Sequence, residues 1–194
     1  MSLRMSSSQT VGPFFEIGLA WSYIDDIAAG AADVSGERVQ IHGRVHDGAG
    51  EPVPDAVIEI WQADAQGRYS SAIDGGDAAA GSTDVSSTWR GFGRVATDEH
   101  GAYAFRTIKP GRVPGPGGRL QAPHLALHIF MRGLLKPVHT RLYFPSDPAN
   151  ATDAVLALVP EARRATLIAS PQTAGLLEWN VHLQGPLETV FFQF

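Results

Sequence analysis

The sequence predicts an all-β protein, an antiparallel β-sandwich that carries an N-terminal arm, long loops and a short helical excursion near residues 150–170. Three observations predict this class. The 21 glycines and 13 prolines are spread between short apolar runs, which is typical of strands joined by many turns. Several of those runs alternate apolar and polar residues with the period of a strand. With 44% hydrophobic residues among 194, the chain has enough apolar surface for one large core.

Residues 1–36 form the arm, and the sandwich is expected over residues 37–194. The arm shows no strong period, yet it contains Phe14, Phe15 and Ile17 close together. A segment this apolar packs on something, either on its own sandwich or on a partner subunit. The residues alone leave both interpretations open.

The sandwich begins with a clear period of two, in which Val39, Ile41 and Val45 share one face with Gly43. Asp98-Glu99-His100-Gly101 lies between two apolar runs and predicts a hairpin. Pro160 with Glu161 suits the first turn of a helix that continues to about Ala169. Residues 70–90 are rich in small and polar residues and predict a long functional or mobile loop. The strands are predicted over residues 39–45, 56–63, 92–97, 103–108, 125–130, 140–144, 178–184 and 189–194.

Charge and composition exclude several kinds of partner and site. The net charge is −5 and the basic residues are not clustered, which argues against nucleic acid or an anionic membrane surface as a partner. No cysteine is present, so disulfides and thiolate metal sites are impossible. No apolar run reaches the ~18 residues of a transmembrane helix. A cytoplasmic protein is therefore expected.

Seven histidines invite a search for a metal site, and His124 with His128 is the first candidate pair. On a helix this spacing would chelate one ion. Here Leu125, Leu127 and Ile129 alternate with the polar positions, which is strand periodicity. At about 3.3 Å per residue the two histidines stand about 13 Å apart, too far for metal–nitrogen bonds of about 2 Å.

The same objection applies to His42 and His46, which lie on the polar face of the first strand and are expected to be solvated. The position that could share a metal with His124 is two residues on, and it is Ala126. Alanine offers no lone pair.

Three ordered motifs carry a family resemblance: EIWQADAQGRY at residues 59–69, GFGR at 91–94 and FRTIKPG at 105–111. They resemble intradiol ring-cleaving dioxygenases, non-haem Fe(III) enzymes that cut a catechol ring between its two hydroxyls. The resemblance runs from Ser8 to Phe194. It implies a sandwich of the prealbumin-like kind.

In catalytic members of this family, two tyrosinates and two histidines hold the iron. The resemblance places the four ligand positions at Tyr69, Val113, His124 and Ala126. An arginine that assists catalysis in the family corresponds to Gln121. Two of the four ligands are therefore missing, and ferric iron needs hard anionic donors. We expect no tightly bound metal in this chain and no catalytic residue of its own; Tyr69 and His124 are expected to be hydrogen-bonded in a small polar pocket.

Other segments, SQTVGPF at residues 8–14, FMRG at 130–133 and ETVFFQF at 188–194, resemble the iron-free α chains of two-chain family members that cleave protocatechuate. The resemblance implies a homologous β chain that holds Fe(III), with which the arm packs in a higher-order αβ oligomer. It also implies that Thr10, Gly12 and Pro13 line the substrate site and that Arg132 lies near the substrate carboxylate. Without the resemblance, Arg132 would be assigned to a surface ion pair.

The expected reaction is Fe(III)-dependent cleavage of protocatechuate by O₂ to 3-carboxy-cis,cis-muconate, with the iron on the β chain. Two alternatives stay open. One is a self-sufficient intradiol dioxygenase with unusual ligands. The other is a non-catalytic transthyretin-like module, since fold alone does not assign function.

Overall fold

The computed structural model describes residues 6–12, 14–29, 35–70 and 89–193, and within them it confirms the predicted all-β sandwich. Most of the predicted loop at residues 70–90, from 71 to 88, lies outside the described residues. The described elements are helices α1 (Phe14–Leu19) and α2 (Glu161–Arg164) and strands β1 (Arg38–His46), β2 (Val57–Trp61), β3 (Phe92–Ala96), β4 (Ala102–Ile108), β5 (His124–Phe130), β6 (Val138–Tyr143), β7 (Ser170–Thr173), β8 (Leu176–Glu178) and β9 (Val181–His182).

The strands form two sheets. One has the order β3-β2-β5-β6 and is antiparallel throughout. The other has the order β4-β1-β8-β7, with β9 also paired to β1. In this second sheet β8 and β9 run parallel to β1, so the sandwich is antiparallel except along that one strand.

The period of two in β1 places its apolar face in the core. Val39, Ile41, Gly43 and Val45 are buried, while the residues between them are half-buried or exposed. They meet the buried face of the other sheet, on which β5 alone contributes Leu125, Leu127 and Ile129. One face of each sheet is buried in the core. Because side chains alternate along a strand, the burial of Leu125, Leu127 and Ile129 places the other side chains of β5 on the opposite face of the sheet.

The described part of the arm has two regions. Its second half packs on the chain's own sandwich: Ile24 forms a two-hydrogen-bond bridge with Arg94, and Ile27 is buried in the core. Gly93 has no side chain where Ile27 packs against it, so the arm can approach β3 closely. The first half, around α1, leaves Phe14 exposed.

The predicted hairpin at residues 98–101 is wrong. The turn forms, with the Gly101 amide donating to the Asp98 carbonyl, but β3 then pairs with β2 and β4 pairs with β1. The turn therefore joins the two sheets. The buried Thr97 hydroxyl accepts from the Ala56 amide and donates to the Val53 carbonyl, which ties the chain to β2 at the crossing.

The C-terminal third differs from prediction in two places. The helical excursion is confirmed as α2 with short 3-10 turns at residues 148–152, 156–158 and 165–167, but β7 was not predicted. The predicted strand 178–184 is interrupted at residues 179–180, where the Arg44 amide donates to the Asn180 side chain, and only β8 and β9 pair with β1. The predicted strand at 189–194 is wrong over its described residues: Phe192 makes one bridge to His139.

The helices in the described residues are short, and not one of them is long and apolar enough to cross a membrane.

Candidate functional site

Strand β5 links the two regions that carry the family-related residues. Its seven residues span about 20 Å. His124 begins the strand, at the end where the sequence predicts the iron-site positions, and Arg132 follows its other end beside the N-terminal arm. We call these the closed end and the open end of β5.

The closed end gathers four of the five predicted iron-site positions. Ala126 follows His124 on the same face of β5, and the Gln121 amide donates to the Val113 carbonyl at 2.8 Å. Val113, Gln121 and His124 are all buried. Tyr69 differs, since 57% of it is exposed.

His124 is a neutral, oriented imidazole. Its Nδ1 lies 2.8 Å from the Ala122 carbonyl oxygen, which can only accept, so Nδ1 carries the hydrogen and Nε2 holds the lone pair. Burial, reinforced by the charge of Arg141, lowers the pKa of His124 to about 4. The expectation of a hydrogen-bonded ring in a polar pocket is therefore confirmed for His124, while Tyr69 is mostly exposed.

Arg141 occupies the centre of the closed end, although the sequence did not single it out. It stands directly opposite Ala126 in the β5–β6 ladder, so the two side chains share a face. Its guanidinium donates to Gln121 Oε1 at 2.7 Å and to the Tyr143 hydroxyl at 3.4 Å. It also opposes the effect of burial on Tyr69: burial raises the pKa of that phenol and the Arg141 charge lowers it.

Asp153 anchors this network from the side of the helical excursion. Its carboxylate accepts from the Tyr143 hydroxyl and from the backbone amides of Ala122, Val155 and Leu156 at 2.7–3.1 Å. Burial raises the pKa of Asp153, but those hydrogen bonds outweigh it and hold the pKa below its usual range. The carboxylate therefore balances the Arg141 guanidinium through Tyr143.

The closed end does not fit an iron ion. Val113 and Ala126 have no donor atom, and ferric iron needs several anionic or imidazole ligands at once. Within residues 6–12, 14–29, 35–70 and 89–193, no three histidine or carboxylate side chains come together in a way that could hold a metal. We therefore assign no metal-dependent step to these residues.

The open end brings the arm and Arg132 together. The Thr10 hydroxyl accepts a hydrogen bond of 2.8 Å from the Gly133 amide, which adjoins Arg132. Gly133 has a φ of +92°, a left-handed conformation that favours glycine. Gly12 lies at the start of α1, and its carbonyl accepts from Phe15. Pro13, the fourth predicted substrate contact, lies outside the described residues.

Arg132 is half-exposed, with 53% of its side chain open to solvent, and it pairs with Asp55 at 2.8 Å. Asp55 has a φ of +58°, which carries the turn before β2 towards Arg132. The guanidinium has five N–H donors, so this one contact leaves room for a second anion. An incoming carboxylate would share the arginine with Asp55.

An apolar groove of about 150 Å³ adjoins the open end and joins it to the arm. Phe15 packs on Phe130 with ring centroids 5.5 Å apart at its base. The described residues that line it are Gln9, Val11, Phe15, Phe130, Met131, Leu134, Leu135, Lys136 and Pro137. Beside it, Phe14 and Ile17 are exposed on α1, and Trp21 is exposed in the 3-10 turn at residues 20–22 that follows; we call these three residues the apolar stripe of the arm.

Sequence reasoning missed two residues of the closed end, Arg141 and Asp153. A period of two could have placed Arg141 on the same face as Tyr143. Only the register between β5 and β6 shows that it faces Ala126. Asp153 lies in the helical excursion, and the sequence does not indicate which strands that segment packs against.

The sandwich and the motifs on β2 to β5 together define a dioxygenase-type chain, and its described residues form no complete metal site. The sequence model of a family described as Dioxygenase matches residues 11–185. The chain belongs to this family, the intradiol dioxygenases, whose enzymes in general depend on iron.

Curated relatives agree with this assignment over the whole length. The protocatechuate 3,4-dioxygenase α chain of Burkholderia cepacia is 40% identical over 208 residues, which cover 98% of each chain. The α chain of Pseudomonas putida is 37% identical over 213 residues, 99% of this chain and 98% of that one. The β chain of the B. cepacia enzyme is 39% identical over 135 residues, 69% of this chain but 55% of that chain.

Solved structures share the fold. The dioxygenase domain of a dioxygenase–carbohydrate-binding fusion from Streptomyces sp. SirexAA-E superposes with a TM-score of 0.61 over 87% of this chain and 89% of that one, at 22% identity. Catechol 1,2-dioxygenase from Acinetobacter sp. ADP1 gives a TM-score of 0.61 over 81% of this chain and 55% of that one, at 21% identity. At these identities the likeness shows the fold alone.

Proposed function

We propose that the chain is the iron-free α subunit of a protocatechuate 3,4-dioxygenase and works with a homologous β chain that holds the Fe(III). The observation that carries this proposal is the match to α chains over 98% of both sequences, whereas the β-chain match covers 55% of that relative. The missing donors at Val113 and Ala126 support it. The assembly would be a cytoplasmic oligomer of αβ units.

In this proposal the chain supplies the open end of β5 to a pocket whose chemistry belongs to the β chain. Iron bound there would supply activation of the catechol for cleavage by O₂ to 3-carboxy-cis,cis-muconate. The contribution of Arg132 and Thr10 is orientation. Protocatechuate carries a carboxylate, which on burial needs a cation or hydrogen-bond donors, and Arg132 is a half-exposed guanidinium with five N–H donors.

The arm is proposed to reach the partner through its first half. The exposed stripe of Phe14, Ile17 and Trp21 turns away from the chain's own core, while Phe15 and Ile27 hold the arm to the sandwich. Large exposed apolar side chains this close together along one segment are typical of an interface. Thr10 and Gly12 lie just before this stripe, so the same contact would bring them to the shared pocket.

Co-expression tests the proposal. This chain, its homologous β chain, and both together are purified and assayed for O₂ uptake and for 3-carboxy-cis,cis-muconate formed from protocatechuate. We expect the chain alone to be colourless and inactive, and the pair to be active and red from tyrosinate-to-Fe(III) charge transfer. Tyr69→Phe in this chain is the matched control, and it should leave the iron content and colour of the pair unchanged.

A coloured, active homo-oligomer of this chain alone, with iron lost on Tyr69→Phe, would instead support a self-sufficient enzyme with unusual ligands. Failure to co-purify with the β chain would favour the non-catalytic sandwich module.

A further inference from the structure

The family's ligand geometry leaves a specific space at the closed end. A second histidine at position 126 would project from β5 on the same face as His124, across from residue 141 of β6. With alanine at 126, that space borders on the long side chain of Arg141. The guanidinium turns to Gln121, at the position where the family resemblance puts a catalytic arginine.

A cation therefore stands among the former ligand positions, but it comes from a different strand. Arg141 is fixed by hydrogen bonds to Gln121 and Tyr143, and Tyr143 connects it to the buried Asp153 carboxylate. Gln121 is itself held by the Pro114 carbonyl through its side-chain nitrogen. Each side chain of this cluster therefore has at least one hydrogen-bond partner, as buried polar side chains require.

The surviving histidine keeps the tautomer that metal binding needs. His124 donates Nδ1–H to a backbone carbonyl, which leaves Nε2 with a lone pair, as in a metal-ligating histidine. The tautomer of His124 therefore does not explain the loss of the site.

We propose that Arg141 is the resident cation of the dismantled iron pocket: its guanidinium takes over the positive charge that the metal supplies in the family, and by its charge it keeps metal ions out. Two changes then separate this chain from an iron-binding one, the missing donors and the added cation. Restoring the donors alone is not sufficient, because a metal ion would enter next to a fixed positive charge in a poorly solvated site. The inference rests on the family's ligand positions and is independent of the partner and substrate proposed above, since it concerns this chain alone.

The test restores the donors with and without the cation. Val113→Tyr and Ala126→His are introduced together into the full chain, and position 141 is then Arg, Lys or Gln. Fe(III) binding is measured by titration and by the visible tyrosinate charge-transfer band. We expect stoichiometric iron and the band with Arg141→Gln, and affinity at least about tenfold weaker with Arg or Lys. Equal binding in all three chains, or no binding with Gln, would overturn the inference.

A second measurement guards against variants that fail to fold. In a chain that carries only Ala126→His, a milder change than the double substitution, position 141 is Arg (the parent of this series), Lys or Gln, and binding of Zn²⁺, which accepts imidazole ligands, is measured. We expect the Gln variant to bind Zn²⁺ at least about tenfold tighter than the parent and the Lys variant, and to lose that gain on His124→Ala. A gain shared by Lys, or a gain that survives His124→Ala, contradicts the proposal. So does the absence of any gain.

Discussion

The two ends of β5 both carry residues of the family resemblance. They differ in how many of the polar groups of those residues find partners within the chain. At the closed end, His124, Gln121 and Arg141 bond to groups of the same chain, and Asp153 is buried beneath them. At the open end, Arg132 is half-exposed and holds one partner. Polar groups in a buried pocket need internal partners, because unpaired buried groups cost about 1–3 kcal/mol each. A surface site can stay incomplete until another molecule covers it.

The largest effect of a substitution on stability is expected at the closed end. Asp153→Ala removes four hydrogen-bond acceptor contacts and leaves buried donors and the Arg141 charge without their counterpart. We expect a loss of about 3–5 kcal/mol in the free energy of unfolding, measured by urea denaturation.

Two variants control this result. Asp153→Asn keeps a carbonyl acceptor and should lose less than Asp153→Ala. Asp25→Ala removes an exposed carboxylate 3.7 Å from Arg106 and should change stability little. If Asp153→Ala and Asp25→Ala lowered the free energy of unfolding by similar amounts, the hydrogen bonds of Asp153 would not stabilise the closed end and the prediction would be wrong.

A second prediction concerns pH at the closed end. His124 is neutral in the fold because its pKa lies at about 4 there, against about 6.5 in the unfolded chain. Between these two pKa values the imidazole is protonated in the unfolded chain but neutral in the folded chain. The free energy of unfolding therefore falls as the pH drops from about 6.5 to 4. The expected contribution is about 3 kcal/mol, from about 1.4 kcal/mol per pKa unit.

His124→Gln isolates this contribution, since glutamine can still donate to the Ala122 carbonyl but does not titrate. Unfolding free energies of parent and variant are compared at pH 7.5 and pH 4. The parent should lose about 3 kcal/mol more than the variant over this range. If the unfolding free energies of parent and variant fell in parallel with pH, burial would not lower the pKa of His124 and the prediction would be wrong.

The smallest effect on stability and the clearest effect on activity are expected at the open end. In the αβ pair, Arg132→Ala should raise KM for protocatechuate about tenfold or more, because a charged hydrogen bond to a carboxylate contributes about 1.5–3 kcal/mol. The stability of the chain should change by less than about 1 kcal/mol, as for exposed ion pairs.

Asp55→Asn is the matched variant, since it breaks the same ion pair but keeps the guanidinium. We expect its KM to stay equal to the parent's or to fall, because the substrate no longer shares Arg132 with a carboxylate. If Asp55→Asn raised KM as much as Arg132→Ala, the ion pair would be structural and the open end would not contact substrate.

Local pattern predicted much of the fold, and long-range pairing limited the rest. The alternation through Val39, Ile41 and Val45 predicted β1 and its buried face correctly. The signal at residues 98–101 predicted the turn but not its consequence, because a turn has the same local chemistry whether the next strand pairs back or crosses to the other sheet. The strand prediction for segment 189–193 was wrong for a related reason. There the Thr140 hydroxyl donates to the Val190 carbonyl, so a side-chain hydrogen bond replaces a backbone hydrogen bond of a strand pair.

The sequence by itself determined the sandwich class and the family, because these depend on a period of two and on ordered motifs. It also determined that the side chains of Val113 and Ala126 cannot bind a metal wherever the fold places them. Only the tertiary structure decided what surrounds these positions. Arg141 is 15 residues from Ala126 along the chain and faces it through strand register alone, and Asp153 reaches them from another element. Tertiary structure also forms the open end, where the Gly133 amide donates to Thr10, 123 residues away.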